Sequence, residues 1–240
     1  MDTILLFVFG SCLASFFDVI IQRSHHHQIW WRGRSYCPQC HHSLAWYDVI
    51  PIISQCLLKN RCRYCHHPLS KRHIVIESLF GGYTCLFFQS HWSLSIMQLC
   101  LCYVTSLIFI TSFWSDLCYF EIYMTLFIPL FVLWLILVTI NHLSLYIIPA
   151  ICCFIIGKCS IIQHYMGEGD FIFMSWLLLF IPLSTFMIVL FITSIFGLIV
   201  AFLPRFWEKQ ALPFIPCLTF GYLCLYIYSL IFLNHVMIIM

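Results

Sequence analysis

Four cysteines stand as two pairs, Cys37-Pro-Gln-Cys40 and Cys62-Arg-Tyr-Cys65, with twenty-one residues between the pairs. Each C-x2-C pair can present two thiolates from one tight turn, and two such pairs at this spacing can close a tetrahedral zinc site. His41-His42 and His66-His67 follow the pairs directly. Either could replace a cysteine as ligand, but with four thiolates available they read as surface residues or as partners of the ligands. The other eleven cysteines are scattered, mostly through apolar segments, and read as small apolar side chains.

The second chemistry is carried by carboxylates, of which there are only nine. Asp116 and Asp170 each fall at the edge of a long apolar run, Asp116 opening one and Asp170 opening another. A carboxylate at the edge of hydrocarbon is costly and usually faces a bundle interior or a wet cavity. For either one alone, a helix N-terminus that favours an anion is a sufficient structural reason. Asp170, however, ends Gly167-Glu168-Gly169-Asp170, where the two glycines let the backbone turn tightly and approach another segment closely. Two aspartates meeting there could hold one proton between them, because like charges a few ångströms apart do not both ionise cheaply. One would then take the proton of a water while the other polarised a peptide carbonyl. That is the chemistry of an aspartic protease.

These groups sit in a chain that is 62% hydrophobic and 8% charged. So little charge cannot coat a water-exposed globule, and the fold class expected is an all-α polytopic membrane protein. A formal charge of +2 and the lack of a basic stripe exclude a direct nucleic-acid role. At about twenty residues per crossing, the apolar runs predict eight helices, near 4–22, 73–90, 94–113, 117–140, 143–163, 170–180, 182–203 and 214–238, the sixth and seventh split at Pro182. The first run has its basic residues after it, which reads as a retained helix and not a signal peptide. Residues 23–72 form a polar island with Arg23, Arg32, Arg34, Lys59, Arg61, Arg63, Lys71 and Arg72. With that island in the cytoplasm, Lys158, Arg205 and Lys209 also fall inside, so every basic residue obeys the positive-inside rule. The organisation expected is a first transmembrane helix at 1–22, a cytoplasmic four-cysteine loop at 23–72 and a membrane bundle at 73–240.

Taken in order, these segments resemble the type IV prepilin peptidases, membrane aspartic proteases that process pilins and pseudopilins. The likeness is carried by Gly10-Ser11-Cys12-Leu13 with Ser15 to Val19 and Arg23, by the cysteine pairs around Trp46 to Pro51 and Ser54, by Glu77, by Gly167 to Asp170, and by Pro213-Phe214-Ile215-Pro216 with Gly221. The resemblance implies cleavage, at the cytoplasmic face of the bacterial cytoplasmic membrane, of the basic leader from a pilin-like precursor, with Asp116 and Asp170 as the catalytic pair. It also implies a second activity, methylation of the new amino terminus from S-adenosylmethionine, with Asp18, Arg23, Asp48 and Glu77 as the methyl-transfer or substrate contacts. The two-knuckle loop and small size resemble most the competence branch that prepares pseudopilins. The chain departs from the family at Asp18, where asparagine is usual, and after Asp170, where many members carry a lysine two residues on. Asp116-Leu-Cys-Tyr-Phe-Glu121 lacks a second aspartate, so Glu121 competes for the partner role. Two other readings stand beside this one: a proton-coupled transporter, disfavoured by carboxylates at one face and no duplicated half, and a membrane-anchored zinc adaptor, which leaves both aspartates without a purpose.

Overall fold

The computed structural model describes residues 2–29, 33–90, 95–140, 145–159, 166–202 and 213–232, with side chains to residue 224. Arg32, Arg205, Glu208 and Lys209 lie outside the described residues. Among the described residues the chain is helical, with no strand beyond two isolated bridges. The helices are α1 Thr3–His25, α2 Ile53–Leu57, α3 Arg72–Ser90, α4 Ile96–Tyr119, α5 Met124–Ile140, α6 Ile147–Gly157, α7 Glu168–Leu178, α8 Leu183–Ala201 and α9 Phe214–Phe232, and a 3₁₀ turn covers Trp46–Val49. All except α2 answer to the eight apolar runs. Three of them, α1, α4 and α8, are long and apolar enough to cross a membrane by length and composition. Pro182 caps the start of α8, as its missing N–H and fixed φ predict. The chain divides into two units, Met1–Ser95 and Ile96–Met240.

In the first unit α1 and α3 run antiparallel at close range. A side chain at Gly10 would meet Thr84 and the Phe80 carbonyl, and one at Gly81 would meet Ser11 and Phe7. Bare backbone on both helices therefore brings Ser11 close enough for its hydroxyl to donate to the Glu77 carbonyl at 3.0 Å. Between these helices lies the cysteine loop, whose two knuckles repeat one another twenty-five residues apart, as Cys-x-x-Cys-His-His-x-Leu. In each, the first cysteine N–H donates to the carbonyl of the second histidine (Cys37 to His42, 3.0 Å; Cys62 to His67, 2.9 Å). The first histidine of each pair, His41 or His66, closes the turn at positive φ, a region that histidine tolerates better than most residues.

In the second unit an aromatic cluster ties α4, α5, α7 and α9 together. Phe109 of α4 lies 5.0 Å from Trp176 of α7 and 5.4 Å from Tyr222 of α9, ring centre to ring centre. Trp134 of α5 packs 6.0 Å from Trp176 and donates its indole N–H to Thr105 Oγ1 of α4 at 3.1 Å. Outward-facing Met187, Phe191, Leu198 and Ile199 leave α8 apolar on its exposed side, as lipid contact requires. Glycine again allows close approach where Gly221 of α9 meets Val189 and Thr193 of α8, and where Gly157 of α6 meets Phe171 of α7.

Candidate active site

Asp116 does not open a helix. It lies in the last turn of α4, which continues to Tyr119 and stops where Phe120 takes a positive φ of 59° and donates its N–H to the Asp116 carbonyl. Sequence placed a break at 114–117 because Ser115 and Asp116 interrupt the apolar run, whereas the helix passes through them and ends at the left-handed residue. This removes the ordinary reason for an aspartate there, since the C-terminal end of a helix dipole disfavours an anion. The compensation comes from another helix. Ile215, the second residue of α9, donates its backbone N–H to Asp116 Oδ2 at 2.9 Å in a buried setting. Asp116 thus caps the N-terminus of α9 from a distance of ninety-nine residues in sequence. Pro213 and Pro216 leave few other donors in that first turn.

Asp170 does occupy a helix start, as the third residue of α7 after the cap residue Gly167. Gly167 supplies a backbone hydrogen bond to its carboxylate, the return half of a capping box. Neither Gly167 nor Gly169 has a positive φ, so their use is space rather than unusual torsion. A Cβ at Gly169 would sit 3.3 Å from Ile122, and one at Gly167 would sit 3.3 Å from Asp170 Oδ2. Glu168 turns away to pair with Lys158 at the end of α6.

Asp116 and Asp170, fifty-four residues apart in sequence, line one cavity of about 460 Å³ with Phe120, Ile122, Met124 and Ile172, and the charge of Asp116 bears on Asp170. Glu121 lines the same cavity but is exposed and hydrogen-bonded to Tyr123. The cavity has room for water, and both carboxylates are in its lining. Both aspartates are legible in the sequence, whereas Ile215 is not, although the Pro213 to Pro216 segment around it belongs to the family likeness.

The sulfurs of Cys37, Cys40, Cys62 and Cys65 all lie within 4.8 Å of one another, and the Cys37 and Cys65 sulfurs are 3.8 Å apart. Zinc–sulfur bonds of about 2.3 Å set a tetrahedral edge of about 3.8 Å, so the four thiols fit such an ion. Burial pushes the Cys37 thiol up, but hydrogen bonds from the backbone of Cys40 and Gln39 and from the neighbouring cysteines outweigh it and leave it lowered to about 7. At Cys65 a backbone hydrogen bond at His67 pulls down, while desolvation and the three other sulfurs prevail and push it up to about 12. One thiolate forms readily and the surrounding sulfurs suppress another, a crowding that a cation relieves. No imidazole joins the cluster among the described residues. Instead His42 packs on Tyr64, ring centres 3.7 Å apart, fastening one knuckle to the other.

The remaining predicted residues are placed around this loop. Asp18 is buried and bound by Gln22 (2.7 Å), His73 (2.7 Å) and Arg72 (3.4 Å). Glu77 is buried and accepts from the Ile52 N–H at 2.7 Å and Gln55 Nε2 at 3.1 Å, holding the start of α2. Asp48 accepts from Arg63 Nε at 2.7 Å, and Arg63 also lies over the Tyr47 ring. Arg23 reaches the Gly33 carbonyl at 3.3 Å.

These features define a class, a helical integral membrane protein with a paired-aspartate cavity in one unit and a four-thiol cluster in the other. The model of the Bacterial Peptidase A24 N-terminal domain matches residues 8–92, and that of the Type IV leader peptidase family matches residues 103–202. The chain belongs to the type IV prepilin peptidase family. It is similar to the prepilin leader peptidase/N-methyltransferase of Neisseria gonorrhoeae, 29% identical over 205 residues that cover 77% of this chain and 68% of that protein. The proteins of the same name from Myxococcus xanthus and Vibrio cholerae are 46% and 28% identical, over 32% and 48% of this chain. Those two matches span only 23% and 49% of the relatives' own lengths. No solved structure matches the chain.

Proposed function

We propose that the chain is an aspartic endopeptidase that removes the basic leader of a type IV pilin-like precursor at the cytoplasmic face of the bacterial cytoplasmic membrane. The observation that carries this is the convergence of Asp116 and Asp170 on one cavity in a member of this family. One carboxylate accepts a proton from water as its oxygen attacks the scissile carbonyl, while the other donates a hydrogen bond to the carbonyl oxygen. When the tetrahedral intermediate collapses, the C–N bond breaks and the departing amine takes a proton from the pair. The Ile215 and Gly167 amides hold the two acids in place throughout.

The four cysteines would hold a structural zinc ion, which supplies folding energy to a loop with little apolar core of its own. Methyl transfer is suggested by the relatives' printed names, and S-adenosylmethionine is the donor that the family resemblance implies. The carboxylates of Asp18, Asp48 and Glu77, each held by protein partners, would serve that second activity together with Arg23. A pseudopilin of the competence type is the substrate that the compact loop favours.

Co-expression with a pilin-like precursor tests the reading, with leader removal followed by gel shift. Asp116→Asn and Asp170→Asn should each abolish processing while the protein still inserts. Cleavage at the parental rate in either variant defeats the proposal. Cys37→Ser with Cys62→Ser should release zinc yet spare at least part of the cleavage, because sulfurs and aspartates belong to different units.

A further inference from the structure

The short helix α2 presents an apolar face that no part of the proposed reaction uses. Ile53 and Leu57, one turn apart on the same side, are 56% and 76% exposed, while Ser54 is buried. Trp46 and Val49 in the adjoining 3₁₀ turn are 73% and 44% exposed. In water such a cluster is a liability, and its depth in the fold indicates what meets it.

That depth is set by Glu77. Its carboxylate takes hydrogen bonds from Ile52 and Gln55 at the start of α2 and also from Ser15 of α1. Asp18 of α1, meanwhile, is bound by Arg72 and His73 at the very start of α3. The antiparallel pair therefore sets the first turn of α2 level with Ser15, ten residues short of the end of α1 at His25. At about 1.5 Å per residue this is roughly 15 Å back from the helix end, and Glu77, whose side chain leans toward the start of α3, reduces it only slightly. At that level α1 turns Ser15 and Asp18 toward α3 and the apolar, exposed Phe16 outward, and Gln22 and Arg23 follow beyond it. The chain then leaves α2 through Lys59 and Arg61, both exposed, with stems long enough to carry charge up to phosphate.

We infer that the outward face of α2, Ile53 and Leu57 with Trp46 and Val49 of the preceding turn, is seated in the acyl–headgroup boundary of the leaflet on the loop's side. A short element with an aliphatic face, an aromatic flank and trailing basic residues is what that boundary takes up. The four-thiol loop is thereby held against the lipid surface through α2 as well as through α1 and α3.

The test uses the full chain in nanodiscs of phosphatidylethanolamine and phosphatidylglycerol, with p-benzoylphenylalanine placed singly at Ile53, Leu57, Gln39 or Leu5. Leu5, exposed on α1, sets the yield of a lipid-facing position, and Gln39, exposed on a knuckle, sets that of a water-facing one. On irradiation, positions 53 and 57 should give lipid adducts at least about tenfold above Gln39 and within about threefold of Leu5, as for an element buried at the interface. Yields no higher than at Gln39, cross-links to the same chain, or dimers with a second copy would each overturn the inference. Using two sites a turn apart guards against one variant that fails to fold.

Discussion

Asp116 caps α9 and is one of the two acids of the proposed reaction, and replacing it in two ways separates these roles. Asn keeps an oxygen that can accept from the Ile215 N–H but has no ionisable group, whereas Ala removes the acceptor as well. The amide it leaves is buried, and stranding a buried donor costs about 1–3 kcal/mol. For a chain of this size each kcal/mol lowers the thermal midpoint by about 2–4 °C. Asp116→Ala should therefore melt about 2–12 °C below the parent, and Asp116→Asn within a degree or so of it. Both should lack protease activity. The assay is thermal unfolding of the purified chain in detergent, followed by tryptophan fluorescence, because Trp176 is 2% exposed in the aromatic cluster that α9 joins through Tyr222. Hydrogen exchange at Ile215 should quicken in the Ala variant alone. Equal destabilisation by Asn and Ala would show that the hydrogen bond is not what ties α4 to α9, and the positioning argument would fall.

The close contact of α1 with α3 makes an opposed pair of expectations. A methyl at Gly10 would lie 2.8 Å from Thr84 Cβ and 2.9 Å from the Phe80 carbonyl, whereas at Gly82 nothing lies within 4 Å. Gly82→Ala should raise the melting midpoint through a helix-propensity gain of up to about 1 kcal/mol, and Gly10→Ala should lower it through overpacking of about 1–3 kcal/mol; the reverse order would contradict the packing described. Glu77→Ala strands the Ile52 amide and the Gln55 side chain, so hydrogen exchange and proteolysis should accelerate at residues 52–56 while the distal half of α3 stays protected. Unchanged exchange there would mean that α2 is held by something else.

Much of this was legible in the sequence because hydrocarbon imposes a simple grammar. Twenty apolar residues announce a crossing, and each of the eight runs became a helix. The cysteine pairs announced themselves through spacing alone. What stayed hidden was decided by backbone partners that have no signature in residue type. Nothing about Ser115-Asp116 in an apolar run says whether a helix stops before it or runs past it, and the stop was set by a left-handed Phe120 instead. Ile215 acts through its N–H, which every residue but proline carries. Asp18 and Glu77 stand out in the sequence only through the family resemblance, and their partners Arg72, His73, Ile52 and Gln55 follow from the register of α1 against α3, which glycines at 10 and 81 fix and no short motif spells out. The histidines after each cysteine pair invite a metal role, while His41 and His66 serve turns at positive φ and His42 packs its ring, tilted, against Tyr64.

The bond from Ile215 to Asp116 carries a lesson about timing. Chains are made from the amino terminus, and Phe214 to Pro216 leave the ribosome almost a hundred residues after Asp116. Until that late segment arrives, Asp116 lacks the donor that aims its carboxylate, so under the proposed reaction a nascent chain would gain its activity only once α9 has docked.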